Sequence, residues 1–321
     1  MYYFIVNLSG GSGNARRTWH RVRKLLKEKA VSYKAYVTKY EKHAAILAGK
    51  ISLQKDTDIR LIVVGGDGTI NEVLNGIKDF RKIRFGVIPT GSGNDFARGM
   101  HLPCNPRKAL EQILACNDTC HIDLGQVMYQ DGQTEKQHLF GISSGIGLDA
   151  IVCKKVQESI QKKILNKLHM GNIAYVLMTI QTLFSMKKYS VHIDIHQNDN
   201  VDFQSAQSFE KQMHFSNLIF LAGMNFSAEG GGVPMVPDAK ENDGLLSICA
   251  VNGIPKWRAF IMLLYLMRGK HAGHAGINIL ETDALTLTSE SPMVLHTDGE
   301  YLGDVKKVTM KILPDMLAVL K

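Results

Sequence analysis

The amino-acid sequence predicts an α/β protein in which an N-terminal doubly wound α/β domain precedes a C-terminal antiparallel β-sandwich domain. Strand-like and helix-like segments alternate up to about residue 125, whereas short strand-like runs separated by polar turns predominate after it. The length of 321 residues is comfortable for two domains. We therefore expect a first domain over residues 1–127 and a second over residues 128–321, with the last segment a candidate to pack back on the first.

Strand–turn–helix units organise the first domain. The stretch "IRLIVVG" at 59–65 is a nearly continuous apolar run, as expected for a parallel strand covered on both faces. The helix that follows, "TINEVLNGIKD", places Ile70, Val73 and Leu74 on one face. The same pattern predicts strands at "YYFIVNL", "SYKAYVT" and "IRFGVIPT" and helices over 15–30, 41–53 and 106–115. Repeated units of this kind, joined by short turns, build a parallel sheet.

Short strand-like runs make up the second domain. They are "HLFGISSG", "YSVHIDI", "SNLIFLAG", "LLSICAV", "ALTLTS", "MVLHT", "VKKVTMKI" and "MLAVL". Helical segments interrupt them at about 150–185 and about 255–268. Turn-like clusters such as "YQDGQTEK" separate neighbouring runs, which is typical of an antiparallel sandwich.

Composition and charge restrict the class of protein. Hydrophobic residues make up 45% of the chain, which supplies a sizeable core, and the apolar run "AFIMLLYLM" is too short to span a bilayer. The start lacks the basic segment and long apolar run of a signal peptide, so we expect a cytoplasmic protein. Five scattered cysteines predict free thiols. A homodimer is only the default expectation for its assembly.

A net charge of +8 is concentrated in the stretches 15–29 and 153–171. Such a surface favours nucleic acid, an anionic membrane or a phosphate-bearing ligand. Nucleic acid is the weakest of the three, because the sequence lacks a zinc finger, a basic zipper and an aromatic RNA-binding signature. Residues 151–168 form an amphipathic pattern surrounded by lysines, which predicts either a helix packed on the sandwich or a helix that docks on a membrane surface.

The stretch "VVGGDGTINEVLNGI" at 63–77 places three glycines and one aspartate between a strand and a helix. Gly65, Gly66 and Gly68 allow a ligand to approach the backbone closely, and we expect Thr69 to cap the helix. The helix N-terminus favours an anion such as phosphate. Because Asp67 would repel a bare phosphate, the turn indicates a phosphate site with a metal cation, unless it is a capped turn without a ligand.

A second turn, "IPTGSGNDFARGM" at 88–100, follows another strand, and a third polar turn lies at 7–17. Two phosphate-competent turns at one sheet edge favour a bound nucleotide over ligand-free loops. The third turn lacks the Gly-Lys-Ser/Thr of a P-loop, and its glycine spacing does not match the dinucleotide fingerprint. The first domain is thus predicted to be an α/β nucleotide-binding domain.

These motifs resemble the diacylglycerol kinase catalytic family, which includes sphingosine kinases and small bacterial lipid kinases. The resemblance rests on "GGDGTINEVLNGI" and "PTGSGNDFAR", followed in the same order by "IDLG", "SSGIGLDA", "VPDAKENDGLL" and "HTDGE", over essentially the whole chain. It implies ATP- and Mg²⁺-dependent phosphorylation of a lipid hydroxyl such as that of diacylglycerol, in a cleft between the two domains. It also implies a peripherally membrane-associated enzyme with a membrane lipid as substrate.

The resemblance also implies roles for single residues. The nucleotide contacts would be Asn7, Thr38, Gly65, Gly66, Asp67, Gly68, Thr69, Ile70, Asn71 and Ser92. Three acidic residues, Asp67, Asp95 and Asp123, match a network linked through water to the catalytic magnesium. Lys240, Asp243 and Leu245 match a second, structural magnesium site, in which Lys240 and Leu245 offer only backbone carbonyls.

Glu300 in "TDGE" matches the general base that accepts the proton of the lipid hydroxyl, and Asp67 competes with it for this role. We favour Glu300, since Asp67 stands beside the phosphate turn, where a metal would be held. The first turn departs from the family pattern, because Leu8 replaces a proline, which leaves contacts of Ser9 and Ser12 open.

Two other functions remain open. NAD kinases share the glycine–aspartate turn, so an NAD kinase-like phosphotransferase is the alternative enzyme. A catalytically idle lipid- or nucleotide-binding regulator is the alternative without activity, although the full acidic set argues against it. For His271 and His274, three residues apart, we predict a surface turn and not a metal site, because no third ligand has suitable spacing.

Overall fold

The computed structural model describes residues 1–9, 14–158, 171–196 and 211–321. The chain divides into two compact units. The first consists of Met1–Leu124, Gly230–Gly232 and Leu313–Lys321, and the second of Gly125–Glu229 and Val233–Ile312. Ser12 and most of the predicted amphipathic helix at 151–168 lie outside the described residues.

The first unit alternates strands and helices. In chain order these are β1 (Tyr2–Val6), α1 (Asn14–Glu28), β2 (Tyr33–Val37), α2 (His43–Ser52), β3 (Ile59–Gly65), α3 (Asp67–Gly76), a 3₁₀ turn (Phe80–Lys82), β4 (Ile83–Pro89), α4 (Asp95–Gly99), α5 (Pro106–Ala115) and the start of β5 (Thr119–Asp131). The end of β13 (Glu300–Leu320) completes it. The sequence pattern missed α4, because its single turn is too short to show a helical period.

The parallel strands of the first unit follow the order β4-β3-β1-β2, and Ala318 and Val319 of β13 pair in parallel beside β4. In the sheet, β2 lies on one side of β1 and β3 lies on the other. The direction in which successive strands are added therefore reverses between β1 and β3. Open α/β sheets bind ligands beyond the carboxyl ends of the strands at such a reversal. Asn7 and Gly66, which directly follow these two strands, therefore mark the candidate site.

The helices of the first unit form two pairs, α1 with α5 and α2 with α3. On α1, Trp19, Val22 and Leu26 are buried, and the Trp19 ring lies 5.6 Å from that of Phe4 in β1. In the other pair, the Glu72 carboxylate of α3 accepts a hydrogen bond from the Ala44 N–H at the start of α2. The predicted doubly wound α/β domain is confirmed.

Gly76 sets the approach of α2 to α3. A Cβ at this position would lie 2.1 Å from the carbonyl oxygen of Ala45, a backbone atom that cannot rotate away. We expect Gly76→Ala to lower the free energy of unfolding by about 1–3 kcal/mol. Urea denaturation would measure this loss against Gly303→Ala, whose Cβ would meet no heavy atom within 4 Å. Equal stability of the two variants would contradict the close approach.

The second unit is mostly antiparallel. Its elements are the rest of β5, β6 (Thr134–Phe140), β7 (Ser143–Gly147), α6 (Leu148–Glu158), α7 (Gly171–Ser185), β8 (Tyr189–His196), β9 (Gln212–Met224), β10 (Leu246–Asn252), α8 (Lys256–Leu266), β11 (Ile277–Thr282), β12 (Ala284–Thr297) and most of β13. The long strands β9 and β12 each pair with both β7 and β8. Their inward side chains, with those of β10 and β13, enclose an apolar core.

Three strand boundaries in the second unit differ from the sequence prediction. "ALTLTS" and "MVLHT" belong to one strand, β12, because an irregularity in its pairing with β13 interrupts the alternation without ending the strand. "VKKVTMKI" and "MLAVL" are likewise parts of β13. "HLFGISSG" is not one strand: the N–H groups of Gly141 and Ile142, between β6 and β7, donate to the Asp298 carboxylate.

The prediction of a surface turn is wrong for His271, which is completely buried. Its Nε2 lies 2.8 Å from the Met235 carbonyl oxygen, and burial lowers its pKa. All five cysteines are free, as predicted. Among the described residues, no helix is long and apolar enough to cross a membrane.

Candidate active site

The glycine–aspartate turn connects β3 to α3 at the point where the strand order reverses. Gly66 is the N-cap of α3, with an extended backbone, and Asp67 is the first helical residue. The prediction that Thr69 caps the helix is wrong, because Thr69 lies inside its first turn. The Thr69 hydroxyl instead accepts a 2.9 Å hydrogen bond from the side-chain amide of Asn7, which joins the ends of β1 and β3.

Asp67 links this turn to the second glycine turn. Its Oδ2 accepts a hydrogen bond from the Asp95 N–H and its Oδ1 one from the Phe96 N–H, both at 3.1 Å. These donors are the first two residues of α4, so the carboxylate occupies the N-terminus of that helix. Burial raises the pKa of Asp67, and the backbone N–H groups oppose this effect only in part. Asp67 thus has a positioning task that its place in the sequence does not reveal.

Asp95 is the second buried carboxylate of the first unit. Both of its oxygens lie within 3.0 Å of the Gly231 N–H. Burial raises the pKa of Asp95, the Gly231 N–H opposes this shift, and the negative charge of Asp67 adds to it. The glycine-rich stretch 230–232 therefore supplies a hydrogen-bond donor to Asp95. A proton or a cation would relieve the unfavourable charge that burial and mutual repulsion place on Asp67 and Asp95.

Glycine is required where the two turns meet. A Cβ on Gly66 would lie 3.0 Å from the Cα of Gly91, and a Cβ on Gly91 would lie 2.8 Å from the Cα of Gly66. The second turn is closed by Asn94, whose side chain accepts from the Gly91 N–H and donates to the Gly91 carbonyl. Arg98 also donates to the Gly93 carbonyl oxygen. The two turns form one rigid, backbone-lined surface.

The other predicted nucleotide contacts lie at the ends of neighbouring elements. Thr38 follows β2, and its N–H donates to the Val6 carbonyl at the end of β1. Gly65, Gly68 and Ile70 belong to the glycine turn and the start of α3. Asn71 is buried in α3, whereas Ser92 is exposed in the second turn. Ser9, whose N–H donates to the Asn7 side chain, is exposed beside them.

Asp123 is buried in β5, and its Oδ1 accepts a 2.8 Å hydrogen bond from the Asp315 N–H of β13. This bond ties the chain after α5 to the strand segment that completes the first unit. Asp67 and Asp95 are joined directly, because the Asp95 N–H donates to the Asp67 carboxylate. Asp123 is bonded to β13 instead.

In the second unit, "TDGE" forms the hairpin between β12 and β13. Asp298 and Gly299 have φ values of 47° and 80°, and Thr297 pairs with Glu300 across this two-residue turn. Positive φ at both positions is the geometry of a type I′ turn, for which Asp-Gly is a strong signal. The Asp298 carboxylate also accepts hydrogen bonds from the successive N–H groups of 141–143. Glu300, exposed, is the first residue of β13.

A buried histidine lies next to this turn. Nε2 of His296 is 3.0 Å from Oδ2 of Asp149, the second residue of α6. Gly145 leaves room for this pair, because a Cβ there would lie 2.4 Å from the Asp149 oxygen. Burial lowers the pKa of His296, but the Asp149 charge and hydrogen bond outweigh this effect and raise it overall. Asp149 and His296 lie in the motifs "SSGIGLDA" and "HTDGE", but no sequence pattern indicates their contact, because 147 positions separate them.

We expect Asp149→Asn to reverse the pH dependence of stability. Because the pKa of His296 is raised in the folded protein, the wild type loses this stabilisation as the pH rises from 6.5 through the folded pKa. Without the Asp149 carboxylate, burial is the largest remaining influence on the pKa of His296, opposed by the smaller effects of the Glu229 and Asp298 charges, and it favours the neutral ring. The variant should therefore gain stability with rising pH up to about 6.5. Relative to wild type, the free energy of unfolding of Asp149→Asn should be lower by about 3–5 kcal/mol in acid and by about 1–3 kcal/mol at pH 8.

Urea denaturation of both proteins between pH 5 and pH 8 measures this difference. Asp194→Asn is the control: Asp194 is a half-buried aspartate in β8 of the same unit and is bonded to the Gln212 side chain, not to a histidine. Parallel pH profiles of wild type and Asp149→Asn would contradict the ion pair.

Several side chains of the described residues could hold a cation. Donor atoms of Asp149, Glu229 and His296 lie within 4.8 Å of one another, but Glu229 accepts a hydrogen bond from Ser143. Nε2 of His296 donates to the Asp149 carboxylate, and the Gly299 nitrogen lies 3.4 Å from Nδ1. A proton therefore satisfies this group as it stands.

The acidic pair of the first unit fits a magnesium ion better. Oδ2 atoms of both Asp67 and Asp95 would lie 3.3 Å from a Cβ on Gly93, so both carboxylates face the same small space. Hard carboxylate oxygens are the ligands that Mg²⁺ prefers. Burial raises the pKa of both Asp67 and Asp95, and a cation beside them would stabilise the charged carboxylates that burial disfavours.

The predicted structural metal site lies in the loop between β9 and β10. Lys240 and Asp243 are exposed, and Leu245 is half-buried. Oδ1 of Asp243 accepts a hydrogen bond from the Leu245 N–H at 3.0 Å, which closes a short turn. The oxygen donors that the resemblance implies are the Asp243 carboxylate and the backbone carbonyls of Lys240 and Leu245. They lie within six residues of the chain, and oxygen ligands suit magnesium.

Two family profiles match this chain. The profile described as "Diacylglycerol kinase catalytic domain" matches residues 1–127, and the one described as "YegS C-terminal NAD kinase beta sandwich-like domain" matches residues 142–321. The second match confirms the predicted β-sandwich. Its name records a likeness of fold to NAD kinases.

Curated relatives match over most of their length. The chain is 27% identical over 309 residues to the Bacillus subtilis (strain 168) protein named "Putative lipid kinase YtlR", covering 94% of each. It is 30% identical over 253 residues to a diacylglycerol kinase of Staphylococcus epidermidis (strain ATCC 12228), covering 78% of this chain and 71% of the relative.

A solved structure shows the same fold. It is the crystal structure of a "putative diacylglycerol kinase" from Bacillus anthracis str. Sterne, with a TM-score of 0.74 and 22% sequence identity, covering 99% of this chain and 96% of that one. Together with the glycine turns and the two matched profiles, these relatives identify the kind of protein. The chain belongs to the diacylglycerol kinase catalytic family of ATP-dependent kinases.

Proposed function

We propose that this protein transfers the γ-phosphate of MgATP to a hydroxyl of a membrane lipid such as diacylglycerol. The observation that carries the proposal is the pair of packed glycine turns with two buried carboxylates, placed where the strand order of the sheet reverses. This arrangement suits a nucleotide phosphate with a cation. The lipid acceptor is supported by relatives named lipid kinase and diacylglycerol kinase.

In this proposal the glycine turn at 65–71 binds the ATP phosphates. Its backbone can approach a ligand closely, and the N-terminus of α3 favours the negative charge. Asn7 and Thr38 position the ends of β1 and β2 beside it. Ser92 is exposed in the second glycine turn, and its hydroxyl can donate a hydrogen bond to the nucleotide.

Asp67, Asp95 and Asp123 would hold the catalytic magnesium through water, and Asp123 also ties β5 to β13. The bound ion would supply positive charge that neutralises the transferred phosphoryl group. Asp67 additionally keeps the two glycine turns in register through its backbone hydrogen bonds. Lys240, Asp243 and Leu245 would hold a second, structural magnesium ion in the other unit, Asp243 through its carboxylate and the other two through backbone carbonyls.

Glu300 acts as the general base that accepts the proton of the lipid hydroxyl. It stands at the start of β13, in a hairpin that the Asp298 carboxylate clamps to residues 141–143. An exposed carboxylate in a rigid turn can receive a proton without a large rearrangement. The Asp67 carboxylate, in contrast, accepts two backbone hydrogen bonds, which favours a positioning and metal-binding role.

The experiment that tests this function is transfer of labelled γ-phosphate from MgATP to a panel of acceptors in mixed micelles. The panel contains diacylglycerol, phosphatidylglycerol, a sphingoid base and NAD. We expect label in one lipid and none in NAD. Omission of magnesium should abolish the transfer, and its restoration should recover it.

Two outcomes would replace the proposal. Labelled NADP as product would identify an NAD kinase-like phosphotransferase, in line with the name of the second family profile. Binding of MgATP without transfer to any acceptor would identify a nucleotide-binding regulator.

A further inference from the structure

The helix α8 (Lys256–Leu266) is apolar on two opposite sides. Ala259, Met262 and Leu266 are buried against the second unit, as expected for a surface helix. The other side carries Trp257, which is 62% exposed, and also Ile261, Leu264 and Tyr265, each about 40% exposed. Positions 257, 261, 264 and 265 share one face of a helix. A helix apolar all round normally buries both sides.

The exposed apolar area continues onto α7 (Gly171–Ser185). The ring of Phe184 lies 6.2 Å from that of Phe260, and Phe184 is 51% exposed. Leu177, two turns earlier and 61% exposed, lies on the same face of α7. Lys256 fixes the two helices together by donating to the Phe184 carbonyl oxygen. We name this area the α7–α8 apolar face; it comprises Leu177, Phe184, Trp257, Ile261, Leu264, Tyr265 and the exposed Met267.

The segments that carry the α7–α8 apolar face contain basic but no acidic residues. Residues 244–280 contain no aspartate or glutamate, and neither do residues 159–193. Arg258, Arg268 and Lys270 are exposed at the ends of α8, and Lys187 is exposed after α7. A rim of this sign is complementary to an anionic surface, and it would repel the same face of a second copy.

We propose that the α7–α8 apolar face docks this protein on a bilayer that contains anionic phospholipids. Aromatic and aliphatic side chains rimmed by arginine and lysine are suited to the headgroup region of a membrane. The 11 residues of α8 are too few to span a bilayer, so the helix lies parallel to the surface. The inference deepens the proposed lipid kinase function, because the acceptor of that reaction resides in the bilayer.

Tryptophan fluorescence tests the proposal, because Trp257 lies on the α7–α8 apolar face. The chain contains two tryptophans, and Trp19 is 8% exposed in the core of the first unit. In a Trp19→Phe background, we expect the emission of Trp257 to shift to the blue on mixing with phosphatidylcholine–phosphatidylglycerol vesicles. Brominated acyl chains should quench it. No shift and no quenching with these vesicles would overturn the proposal.

Variants then separate the apolar from the electrostatic contribution in vesicle sedimentation without ATP. We expect Ile261→Ser combined with Leu264→Ser to reduce vesicle binding at least about tenfold. Each of Arg258→Gln and Arg268→Gln should reduce it about fivefold, with the effect removed by high salt. Ile46→Ser, an equally exposed apolar position on α2, is the matched control and should bind like wild type.

The outcomes distinguish this inference from the kinase itself. Phosphorylation of a lipid in detergent micelles should survive in Ile261→Ser with Leu264→Ser, because micelles deliver the acceptor without a bilayer. Vesicle contact at Trp257 without any kinase activity would leave the docking face in place and refute the proposed function. Full kinase activity together with vesicle binding unchanged in the double variant would refute the docking face. Dissociation of a dimer by the same variant, without vesicle binding, would identify a second copy as the occupant and refute the membrane.

Discussion

Glu300→Gln is expected to lower kcat for lipid phosphorylation by about 10²–10⁴-fold with little change in the KM for ATP. Glutamine keeps the shape of the side chain but cannot accept the proton of the acceptor hydroxyl. Glu300 is exposed at the start of β13, so the substitution should leave the free energy of unfolding within about 0.5 kcal/mol. The loss would therefore belong to the chemical step.

The matched control for this variant is Glu290→Gln, an exposed glutamate in β12 of the same unit. Initial rates with saturating MgATP and a micellar lipid give the comparison. Retention of more than a tenth of the wild-type rate in Glu300→Gln would remove Glu300 as the base. In that case Asp67 becomes the remaining candidate.

Asp67→Asn is expected to lower kcat/KM by about 10²–10³-fold, the size of effect found when one electrostatic contact to a reacting group is removed. The variant loses a negative charge beside the phosphate site. One of its two side-chain atoms becomes a donor, which cannot accept the hydrogen bond of Asp95 N–H or Phe96 N–H. The two glycine turns thus lose one of the bonds that keep them in register.

The pH dependence of the free energy of unfolding should differ between wild type and Asp67→Asn, and this difference reports the charge of Asp67. Burial raises the pKa of Asp67, so the folded wild type binds a proton more tightly than the unfolded chain. Wild-type stability therefore falls as the pH rises from the unfolded pKa of about 4 to the folded one, and this fall should be smaller in the variant. Urea denaturation from pH 4 to pH 8 measures it; a steeper fall in the variant would contradict the buried carboxylate.

The first unit could be predicted from its sequence because local patterns determine it. Parallel strands such as "IRLIVVG" are apolar throughout, and the glycine turn after β3 is visible as a motif. Most antiparallel strands of the second unit were predicted, but β11 was missed and the ends of several others were wrong. Alternation continues through the irregularity in β12, and a single turn such as α4 has no period to detect.

The candidate site was predictable only where its residues are close in sequence. The bond from Asp95 N–H to Asp67 crosses 28 positions, and the Gly231 donor to Asp95 lies 136 positions away. Single-sequence patterns carry no information on such contacts. The Asp298–Gly299 hairpin, in contrast, could have been predicted. Asp-Gly in "HTDGE" is a strong hairpin signal, but the motif was interpreted only as part of the catalytic site.

The most direct test of the account is the stoichiometry of ADP and phosphorylated lipid in one reaction of the purified protein with MgATP and micellar diacylglycerol. We predict that one phosphorylated lipid forms for each ADP and that ADP formation stops when the lipid is omitted. Equal ADP formation with and without lipid, and no phosphorylated lipid, would show an ATPase and contradict phosphoryl transfer to a lipid hydroxyl.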